Sequence, residues 1–151
     1  MQARQGFGVE PLMRPRSVAV IGASEDLGKF GGRLYRSLLA HGYAGEVYPI
    51  NPVRETLLGR RAYPGVAATP EAPDLVVMAV PRDKVRAEIE AAARRGARGA
   101  IVITAKFADA GAEGAALERE LVAIARAHGM RLMGPNCLGL ISPAHRVVLC
   151  S

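Results

Sequence analysis

The sequence predicts one Rossmann-like α/β domain, a doubly wound parallel sheet of about five strands. Three observations predict it. Short, continuously apolar runs rich in Val and Ile recur along the chain, as strands buried on both faces require. Segments with Leu or Ala at helical spacing separate them, the alternation of a parallel sheet covered by helices. A glycine-rich stretch follows the first run directly, where such sheets place their ligand loops. At 151 residues, 50% hydrophobic and 23% charged, the chain is sized for one domain with its own core and is too apolar to be disordered.

The elements follow in order. Ser17 to Gly22 (SVAVIG) is a buried strand ending in Gly. Glycine-rich residues run to Gly32, and Arg33 to His41 is a helix carrying Leu34, Leu38 and Leu39, with Gly42 as its stop. Glu46 to Ile50 is a second strand, near an edge because Pro49 lacks a ladder donor. Asn51-Pro52 then forces a turn. Leu75 to Val80 (LVVMAV) is the most apolar strand. Pro81 ends it and Asp83 is placed to cap the next helix, which runs to Arg95 before Gly96. Ala100 to Thr104 is the fourth strand. A helix from Gly111 to His128 leads to a short fifth strand, Arg131 to Met133, and then to GPNCLG from Gly134. Residues 1–13 read as a loose tail or short covering helix and 14–144 as the domain. Residues 145–151 read as the start of a further element or a truncated end.

Composition narrows the function classes. No run reaches the roughly 18 apolar residues of a membrane helix, and Met1 to Arg16 has no apolar signal-peptide core, so the expected location is cytoplasmic. Cys137 and Cys150 are too few for a disulfide framework and suit a reducing compartment. The net charge of +6 invites a polyanion, but the basic residues are scattered, without the basic–aromatic interleaving of a base-stacking surface. A nucleotide-like small molecule is therefore preferred over nucleic acid as the partner. No Cys/His cluster has zinc-ligand spacing, and no G-x-x-x-x-G-K-[ST] phosphate loop is present. His41 and His128 each precede a Gly at a helix end, where histidine complements the terminal carbonyls. His145 receives no role, and Cys137, with no His tied to it, reads as a structural thiol.

The candidate site begins at Gly22-Ala23-Ser24-Glu25-Asp26-Leu27-Gly28-Lys29. A glycine-rich loop between a first strand and a helix exposes backbone N–H groups at a positive helix end, the physics of phosphate binding. Ser24 adds a hydroxyl and Lys29 a mobile charge. The dinucleotide fingerprint G-x-G-x-x-G is broken, because Ser24 stands at its second Gly and Gly28 falls one residue late. The second strand ends in Asn51-Pro52-Val53-Arg54 and lacks the acidic residue that holds a dinucleotide ribose. Arg54 instead suits an extra phosphate, either the 2′-phosphate of NADP or the 3′-phosphate of coenzyme A.

The segments SVAVIGAS, VYPINP, LVVMAVP, AIVIT and MGPNCLG, in this order from about Leu12 to Ile141, resemble the CoA-binding domain of NDP-forming acyl-CoA synthetases. That group includes ADP-forming acetyl-CoA synthetase and the succinyl-CoA synthetase α subunit. The resemblance implies that residues Ser24 to Leu27 lie against the CoA nucleotide. It puts Asn51, Pro52 and Arg54 at the adenine end, and Val80 and Pro81 on the adenine or pantetheine arm. Thr104, Ala105 and Lys106 would flank the pantetheine, with Asn136 and Cys137 near the delivered thiol. Two positions depart from the family pattern. Val53 stands where a basic residue commonly follows Asn-Pro. Lys106 stands where a Gly commonly precedes Phe, which leaves open whether it adds a phosphate contact or narrows the path.

The resemblance further implies a binding module without catalytic residues of its own, serving a phospho-histidine domain and an ATP-grasp domain in the same or another chain. Its alternatives are the CoA-sensing domain of a protein acetyltransferase and a stand-alone CoA-binding protein. An NADP-dependent oxidoreductase module, with Arg54 on the 2′-phosphate, is the competing enzyme reading.

Overall fold

A computed structural model describes residues 8–150; residues 1–7 of the expected tail and Ser151 lie outside the described residues. In chain order the elements are α1 (Glu10–Met13), β1 (Ser17–Ile21), α2 (Phe30–Ala40), β2 (Glu46–Ile50) and the short strands β3 (Thr56–Leu57) and β4 (Arg60–Arg61). They continue with β5 (Leu75–Met78), α3 (Arg82–Arg95), β6 (Gly99–Val102), α4 (Ala112–Ala127), β7 (Arg131–Met133), β8 (Gly139–Ser142) and β9 (Val147–Cys150).

Five strands form one parallel sheet in the order β2-β1-β5-β6-β7. Every residue of β1, β5 and β6 is buried, as their unbroken apolar sequences require. β2 is an edge strand, and Pro49 sits in it opposite Val20. Alternate side chains divide the core between the two faces of the sheet. Ala19, Ile21, Val76, Met78 and Val102 pack with Val85 and Ile89 of α3 and Leu121 of α4. Val18, Val20, Val77 and Ile101 pack with Leu34, Tyr35 and Leu38 of α2 and with Val147 and Leu149 of β9. The second face is thus completed by the β8–β9 hairpin, with Leu12 of the short α1 packed against the same cluster. Val147–Cys150, within the segment expected to begin a further element, belong to that layer.

The structure adjusts several sequence expectations. α2 begins at Phe30, three residues before the expected Arg33, because Gly31 and Gly32 form its buried first turn. β5 and β6 end at Met78 and Val102, short of the expected Val80 and Thr104. One backbone bond continues each pairing, Ala79 N–H to the Ile21 carbonyl and Ile103 N–H to the Met78 carbonyl, before the Thr104 hydroxyl takes over at the Val80 carbonyl. Asp83 does not cap α3: Pro81 occupies the cap, and Asp83 lies inside the first turn without a side-chain capping bond. Gly96 does close α3 in the left-handed conformation, at φ 100°. His41 Nδ1 lies 2.8 Å from the Ser37 carbonyl and His128 Nδ1 3.0 Å from that of Ile124, each at the end of its helix.

Buried Asp74 joins the amino-terminal ends of the strands. It accepts hydrogen bonds from the Arg16 backbone N–H at 2.9 Å and from Arg16 Nε at 3.1 Å, with Arg98 Nη1 at 3.8 Å. Burial pushes its carboxyl up, but the bonds and charges of Arg16 and Arg98 outweigh burial and hold it below the usual carboxylate range. A lowered folded-state value means that Asp74 stabilises the fold above the unfolded-state value, near pH 4, and that this stabilisation is lost as pH falls through the folded value. Asp74→Asn is therefore expected to unfold at lower temperature than the native chain at pH 7. The gap should narrow as pH drops below about 4, which thermal melts across that range will measure.

Candidate functional site

The strand order reverses direction between β1 and β5: the chain steps from β1 to β2 on one side and to β5 on the other. A sheet of this kind opens a crevice at the carboxyl ends of those two strands. Each predicted site residue follows the carboxyl end of a parallel strand, so the fold gathers all five segments along one edge of the sheet. Gly22, Ala23, Ser24, Glu25, Asp26, Leu27 and Lys29 follow β1; Asn51, Pro52 and Arg54 follow β2. Val80 and Pro81 follow β5, Thr104, Ala105 and Lys106 follow β6, and Asn136 and Cys137 follow β7.

At the crevice the backbones approach too closely for side chains. Gly22 has φ 91°, and a Cβ there would collide with the carbonyl oxygen of Ala79. A Cβ on Gly31 would collide with the Gly22 carbonyl, and one on Gly32 with that of Asp26. The first turn of α2 is therefore seated directly on the loop that feeds it. Lys29, the residue at its cap, supplies no side-chain capping bond.

The loop holds its shape with its own side chains. Ser24 Oγ accepts from the Asp26 N–H at 3.0 Å, and Asp26 Oδ1 accepts from the Gly28 N–H at 2.8 Å. Arg33 Nη1 donates to the Leu27 carbonyl at 2.9 Å while its guanidinium sits over the Phe30 ring. The N–H groups of Ser24, Glu25 and Leu27 meet no acceptor among the described residues. Exposed, unsatisfied donors beside an uncapped helix N-terminus suit an anion.

Neighbouring segments are fastened to this loop. Asn51 Nδ2 donates to the Ala23 carbonyl at 3.0 Å, while its Oδ1 accepts from the N–H groups of Val53 and Arg54 at 2.9 and 3.0 Å. Most of the polar capacity of Asn51 is thus spent on positioning the turn that carries Arg54. Glu25 Oε1 accepts from the Leu58 N–H at 2.8 Å, tying the loop to the tip of the β3–β4 hairpin. Buried Tyr35 donates to the Leu57 carbonyl at 2.9 Å from beneath. Asn51 to Thr56, with Arg61, Ala62 and Pro64, line an open groove of about 540 Å³.

On the other side, Thr104 Oγ1 donates to the Val80 carbonyl at 2.6 Å, and the Thr104 carbonyl accepts from the Asn136 N–H at 2.9 Å. Cys137 is half-buried, with Sγ 3.4 Å from the Val102 carbonyl. Lys106 is exposed and adopts φ 72°, a left-handed conformation unusual for a residue with a Cβ. Arg82, which the sequence did not single out, donates to the Lys106 carbonyl at 3.0 Å and pairs with Glu113. Arg82 braces the site through a contact between segments distant in sequence, and no local motif marks it; Glu25, a member of the predicted loop, makes a similarly distant contact, while Arg33 reaches back only six residues.

Among the described residues no cluster of His, Cys, Asp and Glu could hold a metal ion, and no helix is long and apolar enough to cross a membrane. A parallel sheet of this order with open donors beside its switch point is the arrangement expected of a nucleotide-type binding domain. Residues 16–143 match the family model of the CoA-binding domain, and the chain belongs to that family. It is 45% identical over 134 residues to the ADP-forming acetate–CoA ligase I of Archaeoglobus fulgidus, a match covering 89% of this chain and 19% of the ligase. It is 43% identical over 141 residues to a trans-feruloyl-CoA synthase of an unknown prokaryotic organism, covering 93% of this chain and 20% of that enzyme. Among solved structures, the dinucleotide-forming acetyl-coenzyme A synthetase 1 of Ca. Korarchaeum cryptofilum, in complex with phosphate and ADP, superposes with a TM-score of 0.89 at 42% identity. That match covers 95% of this chain and 30% of the synthetase chain. The chain thus spans about a fifth of the length of the curated relatives it matches.

The left-handed Lys106 carries a stability prediction. The conformation costs a residue with a Cβ about 1–2 kcal/mol, while glycine gives back about 0.4–1 kcal/mol through the entropy of the unfolded chain. Lys106→Gly is expected to be stabilising by about 0.5–1 kcal/mol on balance, measured by denaturant unfolding. A destabilised variant would show that the Lys106 side chain makes a contact worth more than its strain.

Proposed function

We propose that the chain holds coenzyme A or an acyl-CoA across the carboxyl ends of β1, β2, β5 and β6, as the CoA-binding module of an NDP-forming acyl-CoA synthetase. The observation that carries this reading is the set of unsatisfied donors at Ser24, Glu25 and Leu27, beside the uncapped α2, in a chain of the CoA-binding family. Coenzyme A has a pyrophosphate that suits such donors and a nucleotide with an additional phosphate monoester that suits basic side chains. Lys29 and Arg54 are exposed and available for those charges. Val80 and Pro81 offer apolar surface at the end of β5, next to the crevice. Thr104, Ala105 and Lys106 border the pantetheine, and Asn136 and Cys137 stand where the thiol end emerges.

In this reading the chain binds and orients; it makes no bond. Its hydroxyl, amide and guanidinium groups hold phosphates, and Asn51 and Thr104 keep the strand-end loops in register by the bonds described above. Residues 14–144, close to the limits of the family match, carry the proposed ligand contacts, and β9 completes the layer behind them. Acyl-CoA formation from a carboxylate, a nucleoside triphosphate and CoA needs a phosphoryl relay and a nucleotide site. Those fall to a phospho-histidine domain and an ATP-grasp domain in the same or another chain. The size of the relatives, about five times the matched segment, supports that division. The compartment assigned by this reading is the cytoplasm, with which the free thiols of Cys137 and Cys150 agree.

Isothermal titration at moderate salt tests the ligand. CoA is expected to bind and NADPH to give no heat of binding; NADPH binding without CoA binding would replace this reading with an oxidoreductase module. Arg54→Ala is expected to weaken CoA about tenfold while changing dephospho-CoA little, the lower end of a charged hydrogen bond because Arg54 is exposed. Equal losses for both ligands would remove Arg54 from the 3′-phosphate.

A further inference from the structure

The groove beside Asn51 contains a second cation that no sequence motif marks. Arg61 lines it together with Arg54, and Glu55 is the one carboxylate in its lining. Neighbouring residues on a strand face opposite ways. Arg60, by contrast, lies where its charge acts on buried Tyr35. Arg61 is held from below: its guanidinium sits 5.3 Å from the centre of the Tyr63 ring, which meets the buried Tyr48 ring edge-on at 5.8 Å. The backbone beneath is equally fixed. Thr56 pairs with Arg61, the Ala62 N–H donates to the Glu55 carbonyl at 2.8 Å, and Tyr63 exchanges bonds of 2.9 Å with Pro49 and Asn51 at the sheet edge. The hairpin tip is tied to the anion loop through Glu25 and Leu58. The cation–π contact with Tyr63 uses none of the guanidinium N–H groups as hydrogen-bond donors to an acceptor atom, and they meet no acceptor among the described residues.

A phosphate monoester carries close to two negative charges at neutral pH and offers three acceptor oxygens. One exposed arginine compensates half of that charge. Two arginines in one groove, one on a turn and one on a braced strand, match it. From this we infer that Arg61 is a specificity-determining residue that acts with Arg54 to recognise the terminal phosphate monoester of the bound nucleotide, and so separates CoA from dephospho-CoA. The inference rests on the CoA reading above. It also accounts for how the site tolerates Val53, which is 84% exposed and has no charge to offer.

The test is the ratio of affinities for CoA and dephospho-CoA, by titration of the full 151-residue chain and of Arg61→Gln, Arg61→Lys and Arg119→Gln. Arg119 lies on the exposed side of α4 and serves as the control. The native chain should prefer CoA. R61Q should cut that preference about tenfold through CoA alone, R61K should fall between, and R119Q should match the native chain. A thermal melt checks that each variant is folded. Equal weakening of both ligands by R61Q, or no change in either, would overturn the role of Arg61 while leaving CoA binding standing. If the native chain binds neither ligand, the CoA reading falls and the assignment to Arg61 falls with it.

Discussion

Bare α-carbons at the end of β1 set the geometry of this domain. Gly31 and Gly32 let the first turn of α2 rest on the carbonyls of Gly22 and Asp26, and Gly22 in turn lies against Ala79 at the end of β5. A methyl group at any of the three would collide with backbone, which cannot swing aside as a side chain can. The seam fixes how far apart β1, α2 and β5 stand at the place where strand order reverses. It also fixes the loop between Gly22 and Lys29, whose remaining freedom is removed by the bonds of Ser24, Asp26 and Arg33. The open donors of that loop are a consequence: the turn satisfies its shape with side chains and leaves backbone N–H groups over.

Around this seam the other strand ends are hung like spokes. Asn51 ties β2 to the loop, Thr104 ties the end of β6 to that of β5, and the Asn136 N–H ties the segment after β7 to Thr104. The polar side chains nearest the crevice therefore serve mainly to hold the loops in place. The groups left open there are backbone donors, exposed bases and apolar surface. Such an arrangement suits gripping a long phosphorylated carrier in one orientation, the role proposed for a segment of about a fifth of its relatives' length.

The sheet was legible because its strands are buried on both faces and so read as unbroken apolar runs; β2 and β7 fall where the sequence places them. The edge position of β2 followed from one missing donor at Pro49. Helix starts were harder. Glycine is a poor helix former, so Phe30-Gly31-Gly32 reads as loop until the collision with Gly22 and Asp26 is known. The β3–β4 hairpin is invisible to periodicity, since two-residue strands ending in Arg60-Arg61 exist only through Tyr35, Glu25 and the edge of β2. The β8–β9 layer was obscured for a similar reason. Its inner residues Val147 and Leu149 are too few to announce a strand, and they are buried only because α2 passes over them. For the candidate site, sequence order was enough to put the five segments at one edge of the sheet, because each follows a parallel strand. The division of labour within them, with Asn51 and Thr104 bracing and Arg61 facing the groove, depends on contacts across the fold.

If the seam at Gly22, Gly31 and Gly32 presents a phosphate-binding surface at the switch point, CoA must perturb the backbone of the loop after β1. Backbone amide shifts in a nitrogen-15 spectrum of the chain, followed during titration with CoA, test it most directly. The largest shifts are expected at Ser24, Glu25 and Leu27, with smaller ones at Arg54, Arg61 and the segment from Thr104 to Lys106. Saturable shifts confined to the outer side of α4, with the loop after β1 unmoved, would contradict it.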